Sequence, residues 1–206
     1  MSEIQVEFKM ELGAIVKLIA TELQLKVSGV AAAVELMDAD STIPFIARYR
    51  KEMTGELDEQ QLRDIQERLQ YLRQLVTRKN EVLRLIDEQG KLTEDLRGAI
   101  VAALKLQEVE DLYRPYKQKR KTRASVAKER GLEPLAQWVW AQPGTGDVGA
   151  EASKYVDAKL GVATVDEALQ GAMDIIAEQV ADDASVRAWV RTFTSDQAML
   201  VVEARQ

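Results

Sequence analysis

Apolar residues recur at helical spacing along the chain. Near the N-terminus they follow the i, i+3, i+4, i+7 pattern that places side chains on one face of a helix, at Leu12, Ile15, Val16, Ile19 and Leu23. No stretch shows the sustained two-residue alternation with a hairpin turn that is typical of paired strands. The pattern therefore predicts an all-α fold with little or no sheet.

The longest predicted helix extends from about residue 58 to residue 89, and we call it the spine helix. Asp58 can cap its N-terminus and Gly90 can end it. At about 1.5 Å per residue the helix is roughly 48 Å long, enough for shorter helices to pack along it. Its apolar positions are interrupted by Lys79 and comprise Leu62, Ile65, Leu69, Leu72, Val76, Leu83 and Ile86.

Arginines recur every five residues on the spine helix, at Arg63, Arg68, Arg73 and Arg78. Because a five-residue step turns about 500°, these side chains spiral around the helix and do not share one face. Glu59 and Asp64 precede the first two arginines by four residues, where surface ion pairs form. The pattern favours an ion-paired helix surface over a stripe of arginines that follows a phosphate backbone.

Capping residues and prolines predict the other helices. The predicted N-caps are Ser28, Thr42, Thr93 and Thr164, and Pro115 ends the helix that begins at Thr93. Short helices are expected at 125–130 and 135–140, and the helix after Thr164 has its apolar positions at Leu169, Met173, Ile176 and Val180. A last helix includes Val186, Val190 and Phe193. We predict a helical bundle over residues 1–113, a basic connector over 114–124 and a second helical part over 125–206.

Positive charge is concentrated in residues 114–123, which we call the basic segment. Six of its ten residues are cationic and none is acidic: Arg114, Lys117, Lys119, Arg120, Lys121 and Arg123. The chain has a formal charge of -6, so the remainder carries -12. Phosphate backbone is the commonest partner of such a segment, and Tyr113 and Tyr116 could add base stacking. We predict that the six cations and Tyr116 contact RNA or DNA.

Two other roles of this region stay open from the sequence. The cations of the basic segment could instead pair with acidic residues of the same chain. The spine helix could also organise a surface for a protein partner, which would make the chain a protein-interaction module.

The composition argues against several kinds of chemistry. The chain has no cysteine and no histidine, which removes the thiolate nucleophile, the disulfide and the usual general base and metal ligand. We predict no catalytic activity, cofactor, metal or small-molecule substrate. Glu3 and Glu7 replace the basic start of a signal peptide, and the apolar runs are shorter than the roughly 20 residues that cross a bilayer. We therefore expect a cytoplasmic protein without membrane contact.

Three stretches of the sequence resemble the bacterial Tex proteins, a family of transcription accessory factors. They are IPFIARYRKEMTG at residues 43–55, the stretch from LYRPYK to GLEPLA within residues 112–136, and ALQGAMDIIAE at residues 168–178. The resemblance covers essentially the whole chain. It implies a helical N-terminal domain that contains a helix-turn-helix-like unit and that belongs to a nucleic-acid-binding transcription factor.

In that family the N-terminal region precedes a ribonuclease-H-like domain, helix-hairpin-helix motifs and a C-terminal OB-fold RNA-binding domain. None of these resembles any part of this chain, so we expect it to be truncated from a longer protein. The RNA affinity of the family is associated largely with the OB-fold domain, so we expect only weak binding through this part alone. Under the protein-interaction alternative, the chain docks on RNA polymerase, on transcription factors or on the later domains.

The first of the three stretches has its own interpretation from the residues. Ile43, Phe45 and Ile46 are predicted to lie in the core, while Arg48, Arg50 and Lys51 point outward. This favours structural anchoring over direct binding for residues 43–55.

Overall fold

The computed structural model describes residues 8–117, 121–142, 146–199 and 201–202. Over these ranges the protein contains twelve α-helices and no strand, and the predicted all-α fold is confirmed. A single isolated β-bridge joins Asp157 and Val162 within the same ranges. The helices are α1 (Leu12–Glu22), α2 (Val27–Asp38), α3 (Ile43–Tyr49), α4 (Lys51–Thr54), α5 (Glu59–Asp87), α6 (Glu94–Ala102), α7 (Leu106–Tyr113), α8 (Arg123–Glu129), α9 (Glu133–Trp140), α10 (Val148–Ser153), α11 (Val165–Asp182) and α12 (Ala184–Gln197).

The helices belong to two compact units. The first unit ends at Val109 and the second begins at Glu110, so the basic segment belongs to the second unit. Short 3-10 turns at Arg114–Tyr116 and Ala158–Leu160 also lie in the second unit. None of the helices in the described ranges is long and apolar enough to cross a membrane.

The spine helix is α5, and it begins where the sequence predicts. The Asp58 carboxylate accepts a hydrogen bond from the Gln61 backbone N–H at 2.8 Å. The Gln61 side chain in turn accepts one from the Asp58 N–H at 3.0 Å, which completes a capping box. The helix ends at Asp87, and Gly90 follows it in a left-handed conformation with φ of 65°.

Most of the predicted core positions of α5 are buried, with one error. Six of the seven lie inside: Leu62, Ile65, Leu69, Leu72, Leu83 and Ile86. Val76 is only half-buried, and Leu75 and Val82 are buried instead. The prediction followed strict three- and four-residue steps across Lys79, and Lys79 itself is buried at 1% exposure. The helix therefore keeps its polar residue in the core.

The predicted start of α2 is wrong, because the helix begins at Val27 and Ser28 lies inside its first turn. Gly29 follows on the buried side and lies against the backbone of the α4 end. A Cβ at this position would be 2.5 Å from the Thr54 carbonyl oxygen. Close approach of α2 to residues 51–54 therefore depends on the absence of a side chain at Gly29.

The α3 helix buries two of its three predicted core residues. Ile43 and Ile46 are buried, but Phe45 is 39% exposed, so its predicted core position is wrong. Successive residues of a helix are about 100° apart, so a helix that buries Ile46 turns its neighbour Phe45 away from the same face. Gly55 ends the following helix α4 with φ of 69°.

The second unit is built around α11, against which α8 and α9 pack. Thr164 caps α11 as predicted, because its hydroxyl oxygen accepts a hydrogen bond from the Glu167 N–H at 3.2 Å. The buried apolar residues are Ala168, Gly171, Ala172 and Ile175. The predicted Leu169 and Ile176 are half-buried against the same core, whereas the predicted Met173 is 54% exposed. A Cβ on Gly171 would overlap the Leu132 side chain, so the helices approach closely through small residues.

The helices α8 and α9 are joined by residues 130–132, and Gly131 in this turn has φ of 79°. A turn of three residues that contains glycine is typical of helix-turn-helix connections. Further along, α12 has no buried residue, and its Trp189 and Phe193 rings stack at 5.3 Å while both remain more than half exposed.

Candidate nucleic-acid interface

Local hydrogen bonds fix the described parts of the basic segment at both ends. Residues 114–116 form a 3-10 turn directly after α7. On the other side, the Thr122 hydroxyl oxygen accepts from the Ser125 N–H at 3.0 Å and caps α8. The same hydroxyl donates to the Glu178 carboxylate at 3.0 Å, which attaches this cap to α11. Lys119 and Arg120 lie outside the described residues.

Of the four cations of the basic segment that the structure describes, three form ion pairs within the second unit. The pairs are Arg114 Nε with Asp182 Oδ1 at 3.0 Å, Lys121 Nζ with Glu129 Oε2 at 3.1 Å, and Arg123 Nη2 with Asp174 Oδ1 at 2.9 Å. Lys117 is exposed. Pairing with acidic residues of the same chain was one of the alternatives left open, but the individual partners could not be predicted, since Arg114 and Asp182 are 68 residues apart.

These ion pairs are asymmetric in their exposure to solvent. The Arg123 side chain is 83% exposed and its partner Asp174 is 13% exposed. The Arg114 side chain is 47% exposed and its partner Asp182 is 12% exposed. Each guanidinium therefore keeps donors in solvent while a shielded carboxylate cancels much of its charge. The surface is less positive than the sequence count of six cations indicates.

The two tyrosines near the basic segment have different environments. Tyr113 is buried at 8% exposure, so its ring is not available for base stacking, contrary to the sequence prediction. Tyr116 is half-buried and makes a contact of its own. Of the two rings, only Tyr116 keeps surface that a base could contact.

A cleft of about 390 Å³ lies beside the start of the basic segment, and Pro115 forms part of its wall. Four carboxylates line this cleft together with one lysine, Lys128: Glu133, Glu178, Asp182 and Asp183. Like charges repel, so a polyanion is disfavoured on this side. Any phosphate contact by the segment is therefore expected on the face away from the cleft.

Two further arginines of the second unit are structural. The carboxylate of Asp111 is 4% exposed and accepts hydrogen bonds from Arg187 Nε at 2.7 Å and from Arg191. These contacts attach α12 to α7. Sequence reasoning missed this cluster. The available signal was that Arg187 and Arg191 lie four residues apart and so share one face of their helix, which could bind one acidic residue elsewhere in the chain.

The arginines of the spine helix are ion-paired, as the sequence predicted. Arg63 pairs with Glu59, Arg73 with Asp38 and Arg78 with Glu81. Arg68 pairs with Glu22 of α1 and not with Asp64, so that predicted partner is wrong. The hydrogen bond from Arg73 lowers the pKa of Asp38 below its ordinary value.

Comparison with known proteins matches two ranges of this chain to Tex-like family models. Residues 13–87 match the Tex-like protein N-terminal domain, and residues 145–206 match a family described as Tex central region-like. The chain belongs to the Tex-like family. The basic segment lies between the two matched ranges, and residues 43–55 of the first resembling stretch lie inside the N-terminal match.

Curated relatives share the sequence over most of this chain. The transcriptional accessory protein Tex of Neisseria gonorrhoeae is 46% identical over 195 residues, which is 93% of this chain and 25% of that protein. The protein tex of Bordetella pertussis is 48% identical over 86% of this chain and 22% of its own length. The human S1 RNA-binding domain-containing protein 1 is 32% identical over 78% of this chain and 16% of its length. The chain spans about a quarter, or less, of these relatives.

Proposed function

We propose that this chain is the non-enzymatic N-terminal scaffold of a nucleic-acid-binding transcription accessory factor. In this role the basic segment contributes a contact for RNA or DNA. The observation that carries the proposal is the concentration of six cations in ten residues of a chain whose remainder carries -12. The relatives support it, because one is named as a transcriptional accessory protein and another as an S1 RNA-binding domain-containing protein.

The proposed contact is with the phosphate backbone and does not read sequence. We take α8 and α9 as the helix-turn-helix-like pair in this proposal. In a helix-turn-helix the second helix contacts base edges, and in this pair the second helix is α9. Its sequence EPLAQWVW contains one acid and no lysine or arginine. Contacts from the basic segment therefore position the nucleic acid and leave base recognition to other parts of a longer protein.

The ion pairs of the segment are expected to weaken this contact. A phosphate that approaches Arg114 or Arg123 competes with Asp182 or Asp174 for the same guanidinium. Each phosphate contact then contributes less net binding free energy, because its formation breaks an ion pair within the protein. Binding by this chain alone is accordingly weak at physiological salt.

Charge reversal in the basic segment tests the proposed function. The triple variant Lys119→Glu, Arg120→Glu and Lys121→Glu is expected to bind single-stranded RNA or duplex DNA about tenfold or more weakly at low salt. The slope of log affinity against log salt should fall by about 2 to 3. Fluorescence anisotropy at two salt concentrations measures both quantities.

A matched control separates a local contact from the effect of net charge. The variant Arg63→Glu, Arg78→Glu and Arg84→Glu changes the net charge equally on the spine helix, where each arginine already pairs with a carboxylate. It should retain most of the affinity. Equal losses in both triple variants, or no loss in the first, would refute a contact at the basic segment.

Removing the internal carboxylates is expected to have the opposite effect. Asp174→Asn with Asp182→Asn leaves Arg114 and Arg123 without their anionic partners, and we expect affinity to rise about three- to tenfold. Two additional phosphate contacts should steepen the salt slope by about 1.4 to 1.8. The control Asp87→Asn with Asp95→Asn removes the same charge from exposed positions of the first unit and should change the slope little.

A further inference from the structure

A second exposed surface lies on the first unit, on α3 and α4. We call it the Phe45 surface, and it comprises Phe45, Arg48, Tyr49, Arg50, Lys51 and Met53. Tyr49 is 62% exposed and Met53 is 56% exposed, so the surface offers large apolar side chains to solvent. The two helices beneath it are held in the core by Ile43, Ile46 and Thr54. This places exposed aromatic groups on a fixed backbone.

Contacts among its own side chains order the aromatic part of this surface. The Phe45 and Tyr49 rings lie 5.4 Å apart and are tilted by 43°. The Arg50 guanidinium carbon lies over the Phe45 ring, 5.2 Å from its centre. A partner that binds rings already held in place loses less side-chain freedom on association.

The cations of the Phe45 surface differ from those on the spine helix. Within the described ranges, Arg48 and Lys51 form no ion pair, and Arg50 donates a hydrogen bond to the Tyr49 carbonyl oxygen at 3.3 Å. On α5, by contrast, a carboxylate partners every one of five arginines: Arg63, Arg68, Arg73, Arg78 and Arg84. The chain has more acids than bases, 34 against 28, yet leaves these three cations facing solvent.

The charge pattern around this surface favours an acidic peptide over a nucleic acid. Residues 42–60 contain three cations and four acids, so a continuous phosphate chain would meet Glu52 and Glu56 as well as the cations. A peptide can place one or two carboxylates opposite particular cations and apolar side chains elsewhere. Exposed tyrosine, phenylalanine, methionine and arginine are also the residue types enriched in the centres of protein interfaces.

We propose that the Phe45 surface binds an acidic, apolar segment of a protein partner. Apolar side chains of that segment contact Phe45, Tyr49 and Met53. Its carboxylates pair with Arg48, Arg50 and Lys51. This site lies in the first unit, whereas the basic segment belongs to the second, and the proposed peptide binding does not depend on nucleic-acid binding by the basic segment.

Selection from a library of random short peptides displayed on phage, with the complete chain as bait, tests this inference. Enriched peptides should combine aspartate or glutamate with leucine or an aromatic residue. The variant Arg48→Ser with Tyr49→Ser should bind a synthetic copy of the best peptide about tenfold or more weakly. The control Arg84→Ser with Trp140→Ser, which alters one exposed arginine and one exposed ring elsewhere, should bind it as the wild type does.

The charge and ring contributions can be separated with the milder variant Arg48→Gln with Lys51→Gln, which keeps both aromatic rings. Circular dichroism and the thermal midpoint check that each variant folds. Three outcomes of the selection would overturn the proposal. The enriched peptides could lack acidic residues, both double-serine variants could bind them equally, or the selection could enrich no peptide. The proposal would also be overturned if the variant Arg48→Ser with Tyr49→Ser lost RNA binding and kept peptide binding.

Discussion

Replacing Lys79 with alanine is expected to lower the free energy of unfolding by about 3 kcal/mol. Lys79 is 1% exposed, and its stem fills an apolar position of the spine helix. Its ammonium group donates to the Val101 carbonyl oxygen at 2.7 Å, in the last turn of α6, and lies 4.9 Å from the centre of the Phe8 ring. Alanine removes the stem and leaves that carbonyl without this donor. Urea denaturation followed by circular dichroism measures the change.

The pH dependence of stability identifies the contribution of the charge at this position. Burial lowers the pKa of Lys79 below its ordinary value of 10.5, and the nearby Glu108 opposes this effect. Between the lowered pKa and 10.5 the unfolded chain therefore binds more protons than the folded protein. The free energy of unfolding accordingly increases with pH through that range. Below the lowered pKa, Lys79 is charged in the folded protein, so burial of that charge destabilises the protein to its full extent.

The variant Lys79→Met provides the comparison, because methionine keeps most of the stem and cannot be protonated. We expect Lys79→Met to be much more stable than Lys79→Ala. As pH rises from neutrality toward 10.5, the free energy of unfolding of the wild type should increase relative to that of Lys79→Met. A difference that does not change with pH would show that the ammonium group is not desolvated in the folded protein.

Replacing Gly29 with alanine is expected to destabilise the protein by about 2 kcal/mol. A Cβ at Gly29 would lie 2.5 Å from the Thr54 carbonyl oxygen, and this backbone atom cannot move aside as a side chain does. The sign is informative, because alanine in place of glycine inside a helix ordinarily stabilises by about 0.5 to 1 kcal/mol.

Gly98 in α6 is the matched control for this substitution. Apart from the adjacent backbone of α6 itself, no described atom lies within 4 Å of a Cβ built there, so Gly98→Ala should show the ordinary gain of about 0.5 to 1 kcal/mol. Denaturant midpoints of the two variants should therefore move in opposite directions. If Gly29→Ala were as stable as Gly98→Ala, α2 would not be in close contact with the end of α4.

Local sequence signals were sufficient for most helix positions. The spine helix could be placed because Asp58 is a favoured N-cap residue and Gly90 a favoured residue after the last turn, and the structure shows that Asp58 caps the helix. Thr93 and Thr164 cap their helices through their own side chains, as predicted. Such signals depend on residues three or four positions apart, and these distances are the same in every helix.

The packed faces of helices were harder to predict, because periodicity does not show what covers an apolar side chain. On α11 the larger apolar residues suggested a face through Met173, but close packing of α8 and α9 selected the face that contains Gly171. Phe45 likewise was expected in the core and is exposed. Hydrophobicity alone does not determine which of these side chains are buried, because burial depends on which face of the helix packs against a neighbouring helix.

The candidate interface could be found from composition but its electrostatics could not. The clustering of six cations is visible in ten residues of sequence. The carboxylates that pair with Arg114 and Arg123 lie on α11, more than fifty residues later in the chain. Only the folded arrangement shows that these carboxylates oppose the cations.

The attachment of α12 through Asp111 has a practical consequence for binding experiments. Counterions weaken ion pairs at the surface far more than pairs with a shielded member, and Asp111 is 4% exposed. Ionic strengths that dissociate a polyanion from the basic segment should therefore leave α12 in place. A titration with sodium chloride then reports dissociation of the ligand, with the second unit intact throughout.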